Sequence, residues 1–267
     1  MRTNHVKEKL SRGEPVFGCA AFGVANPEIA HALAASGFDF LLIENEHWPM
    51  SLESGQLLVR AARAADITAI TRVPDAEYHL VARTLDTGSE GVIVPRVETP
   101  ERAAEVVSWA RFPPEGQRGC GPGPLLYDYE SVPLPEALAH WNRNTLVVIQ
   151  AESRRAIECV DELAATPGLD AIMIGPADLS ISIGAPHDLD HPEFVRSVER
   201  LTAACATVGI ASGMFIGDLE RIRRYMTLGM RLFVVSGDLQ LVHQAGRELM
   251  GKLTTIARDV LGGDPAL

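Results

Sequence analysis

Residues 146–180 have the sequence LVVIQAESRRAIECVDELAATPGLDAIMIGPADLS, with short apolar runs at 146–149 and 171–174. The residues at 154–165, between the runs, are predicted to form a helix. Short apolar runs bounded by turn residues and joined by a helix are typical of parallel βαβ units. This stretch therefore predicts two neighbouring, buried parallel strands in an α/β protein.

An acidic residue follows each of these two strands, Glu152 after the first and Asp178 after the second. Neighbouring strands lie about 4.7–4.9 Å apart, so carboxylates at the same ends of adjacent strands can converge. Two converging carboxylates suit one hard divalent cation. In a barrel of alternating strands and helices, that end of the strands holds the active site. The sequence predicts a divalent-metal site at Glu152 and Asp178.

The same alternation of strand and helix extends along the whole chain. Strands are predicted at 16–22, 38–43, 67–71, 91–94, 146–149, 171–174, 209–212 and 232–235. Helices are predicted at 27–35, 52–65, 77–85, 100–109, 134–141, 154–165, 192–207, 218–228 and 239–253, with a Gly/Pro-rich loop at 112–124 and an insertion at 184–191.

About eight strand–helix units predict an α/β fold of the (β/α)8 TIM-barrel type. An open doubly wound sheet is the alternative, but no GxGxxG follows the first strand, and the number of units favours closure. The 267 residues suit a single barrel domain over 1–267, without a recognisable linker.

The composition excludes several kinds of partner. A net charge of −11 argues against nucleic-acid binding, which needs clustered Lys and Arg. No apolar run reaches membrane-spanning length, and the polar N-terminus does not resemble a signal peptide. The four cysteines show no CxxC pairing, which is typical of reduced thiols in a cytoplasmic protein.

Polar side chains follow several predicted strands at the same end. They are Glu44, Glu46 and His47 after the second strand, Arg72 after the third, Gln150 and Glu152 after the fifth, and Asp178 after the sixth. Buried charges are costly unless they are paired or bind a metal, so this concentration indicates an enzyme active site. The three lysines, Lys7, Lys9 and Lys252, lie at no strand end, which argues against Schiff-base chemistry.

Six stretches match a known family in the correct order: ASGFDF at 35–40, EH at 46–47, TRVP at 71–74, VPRVET at 94–99, RFPPEGQRG at 111–119 and GPADLS at 175–180. On these residues the chain resembles the HpcH/HpaI family of metal-dependent class II pyruvate aldolases. The resemblance extends nearly from end to end of the chain.

The resemblance implies roles for the residues at the strand ends. Glu152 and Asp178 would bind Mg²⁺ or Mn²⁺, with Co²⁺ as a substitute. Arg72 would stabilise a developing enolate oxygen. Gln150 would position the substrate or a metal-bound water. His47, oriented by an acid that corresponds to Glu44, would transfer the proton at the hydroxyl of the cleaved bond.

Further residues are implied to bind substrate. The turn Gly175, Pro176, Ala177 and Asp178 would hold the substrate carboxylate through the backbone N–H groups of Ala177 and Asp178. Trp48, Met50 and Phe215 indicate a partly apolar pocket for the aldehyde. Asp86 matches an acid that approaches the site of a neighbouring subunit in the family.

Two positions differ from the family pattern. Glu44 stands where the family usually has Asp, which affects the geometry of the acid–histidine pair. Ala151 stands where a branched aliphatic residue is usual.

Structural interpretations exist for the same residues. Glu152 and Asp178 also suit a helix-start acid and an N-cap, and Glu46 suits a salt bridge. Asp86 also suits a solvated helix end. Arg72 also suits an ion pair at the mouth of the barrel. His47 also suits a packed loop residue, and Gln150 a hydrogen-bond partner for the backbone.

The sequence thus predicts a metal-dependent aldolase that cleaves a 4-hydroxy-2-oxo acid to pyruvate or hydroxypyruvate and an aldehyde. The alternatives are a lyase for a malyl- or citryl-CoA thioester and a non-catalytic barrel that binds a small oxo acid. The family is typically hexameric, and the closing helix, at about 239–258, would pack on a neighbouring subunit. Packing of the same helix on its own barrel would give the same sequence pattern.

Overall fold

The computed structural model describes residues 1–48, 50–121 and 123–261. Its eight strands form a closed parallel barrel in which each strand pairs with the next and the eighth pairs with the first. The strands are β1 (Val16–Ala21), β2 (Phe40–Glu44), β3 (Thr68–Arg72), β4 (Gly91–Val94), β5 (Leu146–Gln150), β6 (Ala171–Ile174), β7 (Ala211–Phe215) and β8 (Leu232–Gly237). The expected (β/α)8 barrel is confirmed.

The helices of the described residues surround this barrel. They are α1 (His5–Ser11), α2 (Glu28–Ala35), α3 (Leu52–Ala64), α4 (Tyr78–Asp86), α5 (Pro100–Ala110), α6 (Leu134–Asn144), α7 (Arg154–Glu158), α8 (Val160–Ala164), α9 (Pro176–Ser182), α10 (Pro192–Val208), α11 (Leu219–Leu228) and α12 (Asp238–Leu261), with a 3-10 helix at Pro124–Tyr127.

Alternate residues of each strand fill the barrel interior. They include Val16, Ala20, Phe40, Leu42, Ile70, Ile93, Val148, Ala171, Met173 and Val234, which form one buried cluster. The intervening residues, such as Leu41 and Ile43, face the helices and pack with Leu58 and Val59 of α3. This period of two fixes which polar residues at the strand ends face inward.

An N-terminal helix that the sequence reading missed closes the other end of the barrel. Val6 of α1 is fully buried in the interior cluster. Asn4 caps α1 through a hydrogen bond from the Lys7 N–H and donates to the backbone carbonyl of Glu90. A single buried valine within one short polar helix gives little sequence signal.

Local sequence explains where the helices start and stop. Ser51, Thr99, Ser153 and Asp218 accept backbone N–H groups of α3, α5, α7 and α11, which satisfies donors that lack intrahelical partners. Gly209 ends α10 with φ +78°, a conformation that glycine adopts without steric cost.

Two predicted elements show the largest differences from the structure, and most others differ by a few residues at their ends. The helix predicted at 154–165 is two helices, α7 and α8, because Cys159 departs from helical geometry with φ −110° and ψ 19°. The strand predicted at 209–212 begins instead at Ala211 and ends at Phe215, since Gly209 belongs to the C-terminal cap of α10.

The last helix, α12, covers the predicted range and extends beyond it. Its first residue, Asp238, is buried, whereas a series of apolar side chains along the rest of the helix is exposed. These are Leu239, Val242, Leu249, Met250, Leu253, Ile256, Val260 and Leu261. None of the helices in the described ranges has both the length and the hydropathy needed to cross a lipid bilayer.

Candidate active site

Three polar side chains face inward at the carboxyl ends of neighbouring or nearby strands. Glu44 follows the interior residue Leu42 by two positions, and Gln150 follows Val148 in the same way. Arg72 has the same relation to Ile70 on β3. Because side chains alternate along a strand, Glu44, Arg72 and Gln150 form the top layer of the interior.

Arg72 connects these residues. Its Nε donates to Glu44 Oε2 at 2.6 Å, and its Nη1 donates to Gln150 Oε1 at 3.2 Å. The same Nη1 lies 2.9 Å from Oε2 of Glu46. Glu44 is 0% exposed, so its contacts are all with other residues of the protein. An ion pair this deeply buried fixes the direction in which the Arg72 plane faces.

Glu152 lies just past β5 and is 5% exposed. Its Oε1 accepts the backbone N–H of Arg96 at 2.8 Å. Its Oε2 is buried and has no hydrogen-bond partner among the described residues. Buried carboxylate oxygens are normally satisfied, so an unpartnered one indicates a group that the protein binds there.

Burial raises the pKa of Glu152 to about 7. The N–H of Arg96 opposes this shift, and the nearby carboxylates of Glu46 and Asp178 add to it. Gly175 leaves the space that Oε2 faces, because a Cβ at that position would lie 2.0 Å from this oxygen. A side chain at position 175 would therefore force the Glu152 carboxylate to move.

Asp178 lies in the first turn of α9 and is exposed, in contrast to Glu152. No side chain caps the start of α9 at Gly175, and Pro176 has no N–H to donate. The N–H groups of Ala177 and Asp178 precede the first intrahelical bond, from Leu179 to Gly175, at 3.0 Å. This turn presents a carboxylate and free N–H donors side by side.

These features fit a divalent cation held by two protein ligands. The donor set is oxygen only, one ligand atom is buried without a partner, and a glycine leaves room beside it. Among the described residues, no cluster of three or more His, Cys, Asp or Glu side chains has metal-binding geometry. A site of two carboxylates leaves the remaining positions to substrate and water.

The imidazole of His47 is 56% exposed at the mouth of the barrel. Its Nε2 lies 3.7 Å from Oε2 of Glu46. Glu44 does not contact this ring: its Oε1 accepts the backbone N–H groups of Glu46 at 2.8 Å and His47 at 3.3 Å. Glu44 thus holds the loop that carries His47, and the carboxylate facing the ring is that of Glu46.

Comparison with known proteins identifies the relatives of this arrangement. A model of the HpcH/HpaI aldolase/citrate lyase family matches residues 22–245. The chain belongs to this family. The expected resemblance is thereby confirmed, and so is the class of enzyme, a carbon–carbon lyase of the aldolase type that depends on a divalent metal.

Individual HpcH/HpaI relatives match over nearly their whole length. The hydroxypyruvate/pyruvate aldolase of Deinococcus radiodurans is 34% identical over 98% of this chain and 94% of that protein. The 5-keto-4-deoxy-D-glucarate aldolase of Klebsiella pneumoniae is 31% identical over 92% and 95%. The structure of an HpcH/HpaI aldolase from Desulfitobacterium hafniense has a TM-score of 0.88, 29% identity, and coverage of 93% and 96%.

Asp86 lies away from the other candidate residues of this HpcH/HpaI barrel. It is the last residue of α4, and its Oδ1 accepts from Arg118 at 2.6 Å. Within one chain this carboxylate is an ion-pair partner. Only another copy of the chain can bring it near a barrel mouth.

The sequence reading assigned no role to Arg96 or Phe22. Arg96 adopts φ +53°, which directs its N–H to Glu152, and a left-handed arginine has no sequence signature. Phe22, two residues beyond the interior Ala20, packs against the inner cluster together with Phe215. A prediction that continued the inward period of β1 by one step would have found Phe22.

Proposed function

We propose that this protein is a divalent-metal-dependent aldolase that reversibly cleaves a 4-hydroxy-2-oxo acid to pyruvate or hydroxypyruvate and an aldehyde. The observation that carries the proposal is the buried, unpartnered Oε2 of Glu152 beside the Arg72 network. The choice of pyruvate or hydroxypyruvate as the donor is supported by the relatives, a hydroxypyruvate/pyruvate aldolase and a 5-keto-4-deoxy-D-glucarate aldolase.

We assign the metal to Glu152 and Asp178, with Mg²⁺ or Mn²⁺ favoured by the all-oxygen donor set and Co²⁺ as a substitute. When bound, the cation supplies Lewis-acid polarisation of the 2-oxo group and a fixed orientation for the substrate. The free N–H groups of Ala177 and Asp178 support binding of the substrate carboxylate on the turn formed with Gly175 and Pro176.

The proton transfers are assigned to residues on the other side of the mouth. In the cleavage direction, His47 takes the proton from the 4-hydroxyl group, and the C3–C4 bond breaks as the aldehyde C=O forms. The electron pair of that bond forms the C2–C3 double bond, which leaves an enolate. Arg72 donates hydrogen bonds to the C2 oxygen, where the negative charge develops. A proton from solvent then adds to C3 and gives pyruvate, and His47 releases the hydroxyl proton to solvent.

Glu44 and Gln150 act in this proposal by positioning Arg72. Glu44 fixes the Nε side of the guanidinium, and Gln150 contacts Nη1. A guanidinium held on two sides keeps its remaining N–H donors in place before charge develops, which is the arrangement that lowers a barrier most. Gln150 additionally has its amide NH₂ available for substrate.

A product assay tests the proposal. The protein is incubated with pyruvate and glycolaldehyde in the presence of Mn²⁺ or EDTA, and 4,5-dihydroxy-2-oxopentanoate is quantified by NMR. We expect this product only with the metal, and pyruvate from the same compound in the reverse direction. Lack of metal-dependent product with pyruvate and with hydroxypyruvate, tested with several aldehydes, would contradict the proposal.

We also propose assembly into a homo-oligomer, a hexamer by family resemblance, with α12 packing on a neighbouring copy. Exposed apolar side chains along α12 support this, since soluble proteins rarely leave so large an apolar surface uncovered. A neighbouring copy is also what would place Asp86 at a second mouth. We propose a cytoplasmic location, supported by the four unpaired cysteines and the small polar substrates.

A further inference from the structure

The mouth of the barrel has two chemically different halves. The charged half contains Glu44, Arg72 and Gln150 on β2, β3 and β5. Across the ring, Phe22 after β1 and Phe215 on β7 form the other half, with ring centroids 5.8 Å apart. Both pack on the interior cluster, so they form the apolar floor of this side.

Trp48 extends this aromatic half toward solvent. Its ring lies 5.7 Å from that of Phe22 and is 43% exposed. It also follows His47 directly in the chain. If His47 takes the hydroxyl proton, the substituent on that carbon would be within reach of the Trp48 ring.

The aromatic half is fixed in place. The carboxylate of Asp238 is buried and accepts the N–H groups of Phe22, Gly23 and Val24 at 3.2, 3.3 and 2.9 Å. Gly237 provides the space for the Phe22 ring, since a Cβ there would lie 2.2 Å from it. A rigid aromatic surface loses little entropy when a ligand ring stacks on it.

The described connections that carry Phe22 and Phe215 also lack basic side chains. The connections after β1 and β7, residues 22–27 and 216–218, contain no Lys, Arg or His, and α12 follows β8 directly with Asp238. The guanidinium of Arg72 is bonded to Glu44 and Gln150, and that of Arg96 contacts Glu46 and Asp75 on the opposite side of the ring. Among the described residues of one chain, no Lys or Arg in the connections that carry the aromatic rings offers a partner to a carboxylate on the aldehyde.

From this division we infer that the aldehyde acceptor is aromatic or bulky and apolar, without a negative charge, and that Trp48 selects it by stacking. This inference rests on the proposed aldolase function and specifies its second substrate. Phe22 and Phe215 form the base of the same pocket.

The test compares three aldehydes, with pyruvate as the donor and Mn²⁺ present: benzaldehyde, glycolaldehyde and succinic semialdehyde. We expect kcat/KM for benzaldehyde to exceed that for succinic semialdehyde at least tenfold. Trp48→Ala is expected to lower the ratio of kcat/KM for benzaldehyde to that for glycolaldehyde about tenfold, from the loss of one stacking partner. Trp48→Phe, which keeps a ring, should keep most of the ratio.

Tyr129→Ala is the matched control, because Tyr129 is 73% exposed beyond the 3-10 helix, away from the mouth. It should leave the ratio unchanged. An unchanged ratio in Trp48→Ala, or a preference for succinic semialdehyde, would overturn the inference. A second measurement on the wild type, metal-dependent exchange of the C3 protons of the donor, distinguishes failure of the acceptor assignment from failure of the aldolase proposal. Exchange without the expected preference overturns only the acceptor assignment. No exchange at C3 of either pyruvate or hydroxypyruvate overturns the aldolase proposal and this inference with it.

Discussion

The carboxyl group of Glu152 is buried, and burial disfavours its ionised form. Burial raises the pKa of this carboxyl from 4.5 to about 7 in the metal-free protein. Below about pH 4.5 the group is protonated in both the folded and unfolded states, so it contributes no penalty. Between pH 4.5 and about 7, Glu152 ionises in the unfolded state but stays largely protonated in the folded state. The free energy of unfolding therefore falls as the pH rises through this range.

Replacing Glu152 by Gln should therefore stabilise the metal-free protein at pH 8. The pKa shift corresponds to about 3 kcal/mol of unfolding free energy. Because the unbonded Gln amide itself has a cost, we expect a net increase in unfolding free energy of about 1–2 kcal/mol. Urea unfolding in EDTA at pH 8 and pH 5 measures this, and the gain should be smaller at pH 5. A less stable Gln variant at pH 8 would show that Oε2 has a partner in the metal-free state.

Arg72 and Glu44 form a buried ion pair, so the effect of substituting one residue on stability should depend on whether the other is present. Arg72→Ala leaves the carboxylate of Glu44 buried and unpaired, which we expect to cost about 3–5 kcal/mol of unfolding free energy. Adding Glu44→Gln to this variant should restore at least about 1 kcal/mol, because the uncompensated charge is gone. Denaturant unfolding of both single variants and the double variant measures the coupling, and strictly additive losses would contradict it.

At the scale of the elements, the junction between β6 and α9 controls the metal site. A Cβ on Gly175 would lie 2.0 Å from Glu152 Oε2, so Gly175→Ala must displace that carboxylate. We expect Mn²⁺ affinity, measured by calorimetry, to fall at least about tenfold, as when the support of a ligand is removed. Gly121→Ala, where a Cβ would meet nothing within 4 Å, is the control and should bind Mn²⁺ as the wild type does.

The elements themselves were largely predictable from the sequence. Each barrel strand is a short apolar run, and Ser51, Thr99 and Asp218 signal helix starts that the structure has. The break at Cys159 and the burial of Val6 were not predictable, because both depend on contacts between distant segments. The exposed side of α12 was also undetermined, since the same pattern suits packing on its own barrel.

Side-chain partners within the site were less predictable than its location. Glu152, Asp178, Gln150 and Arg72 were assigned to the mouth because parallel strands end there. The sequence did not reveal that Glu44 would bond Arg72 and the backbone of His47. Which groups the Glu44 carboxylate contacts depends on the positions of Arg72 and the His47 backbone, and the fold sets those positions.

At the scale of the whole molecule, α12 leaves an apolar surface that one copy of the chain does not cover. We predict that the wild type sediments as an oligomer and that the double variant Val242→Glu/Leu249→Glu shifts toward smaller species. Both positions are exposed in the single chain, so the charges should not disturb its own core. Sedimentation velocity measures this, and a monomeric wild type would contradict the proposed packing of α12.

Enolate formation at a metal held by Glu152 is the step that the proposed aldolase reaction requires first. Exchange of the pyruvate methyl protons for deuterium, followed by NMR in D₂O, measures this without any aldehyde. We predict exchange with Mg²⁺ or Mn²⁺, none with EDTA, and a loss of at least about 100-fold in Glu152→Gln. Glu158→Gln, the same change at an exposed position on α7, should retain the wild-type rate. Exchange that persists in EDTA, or in Glu152→Gln at the wild-type rate, would show that enolate formation does not need a metal held by Glu152.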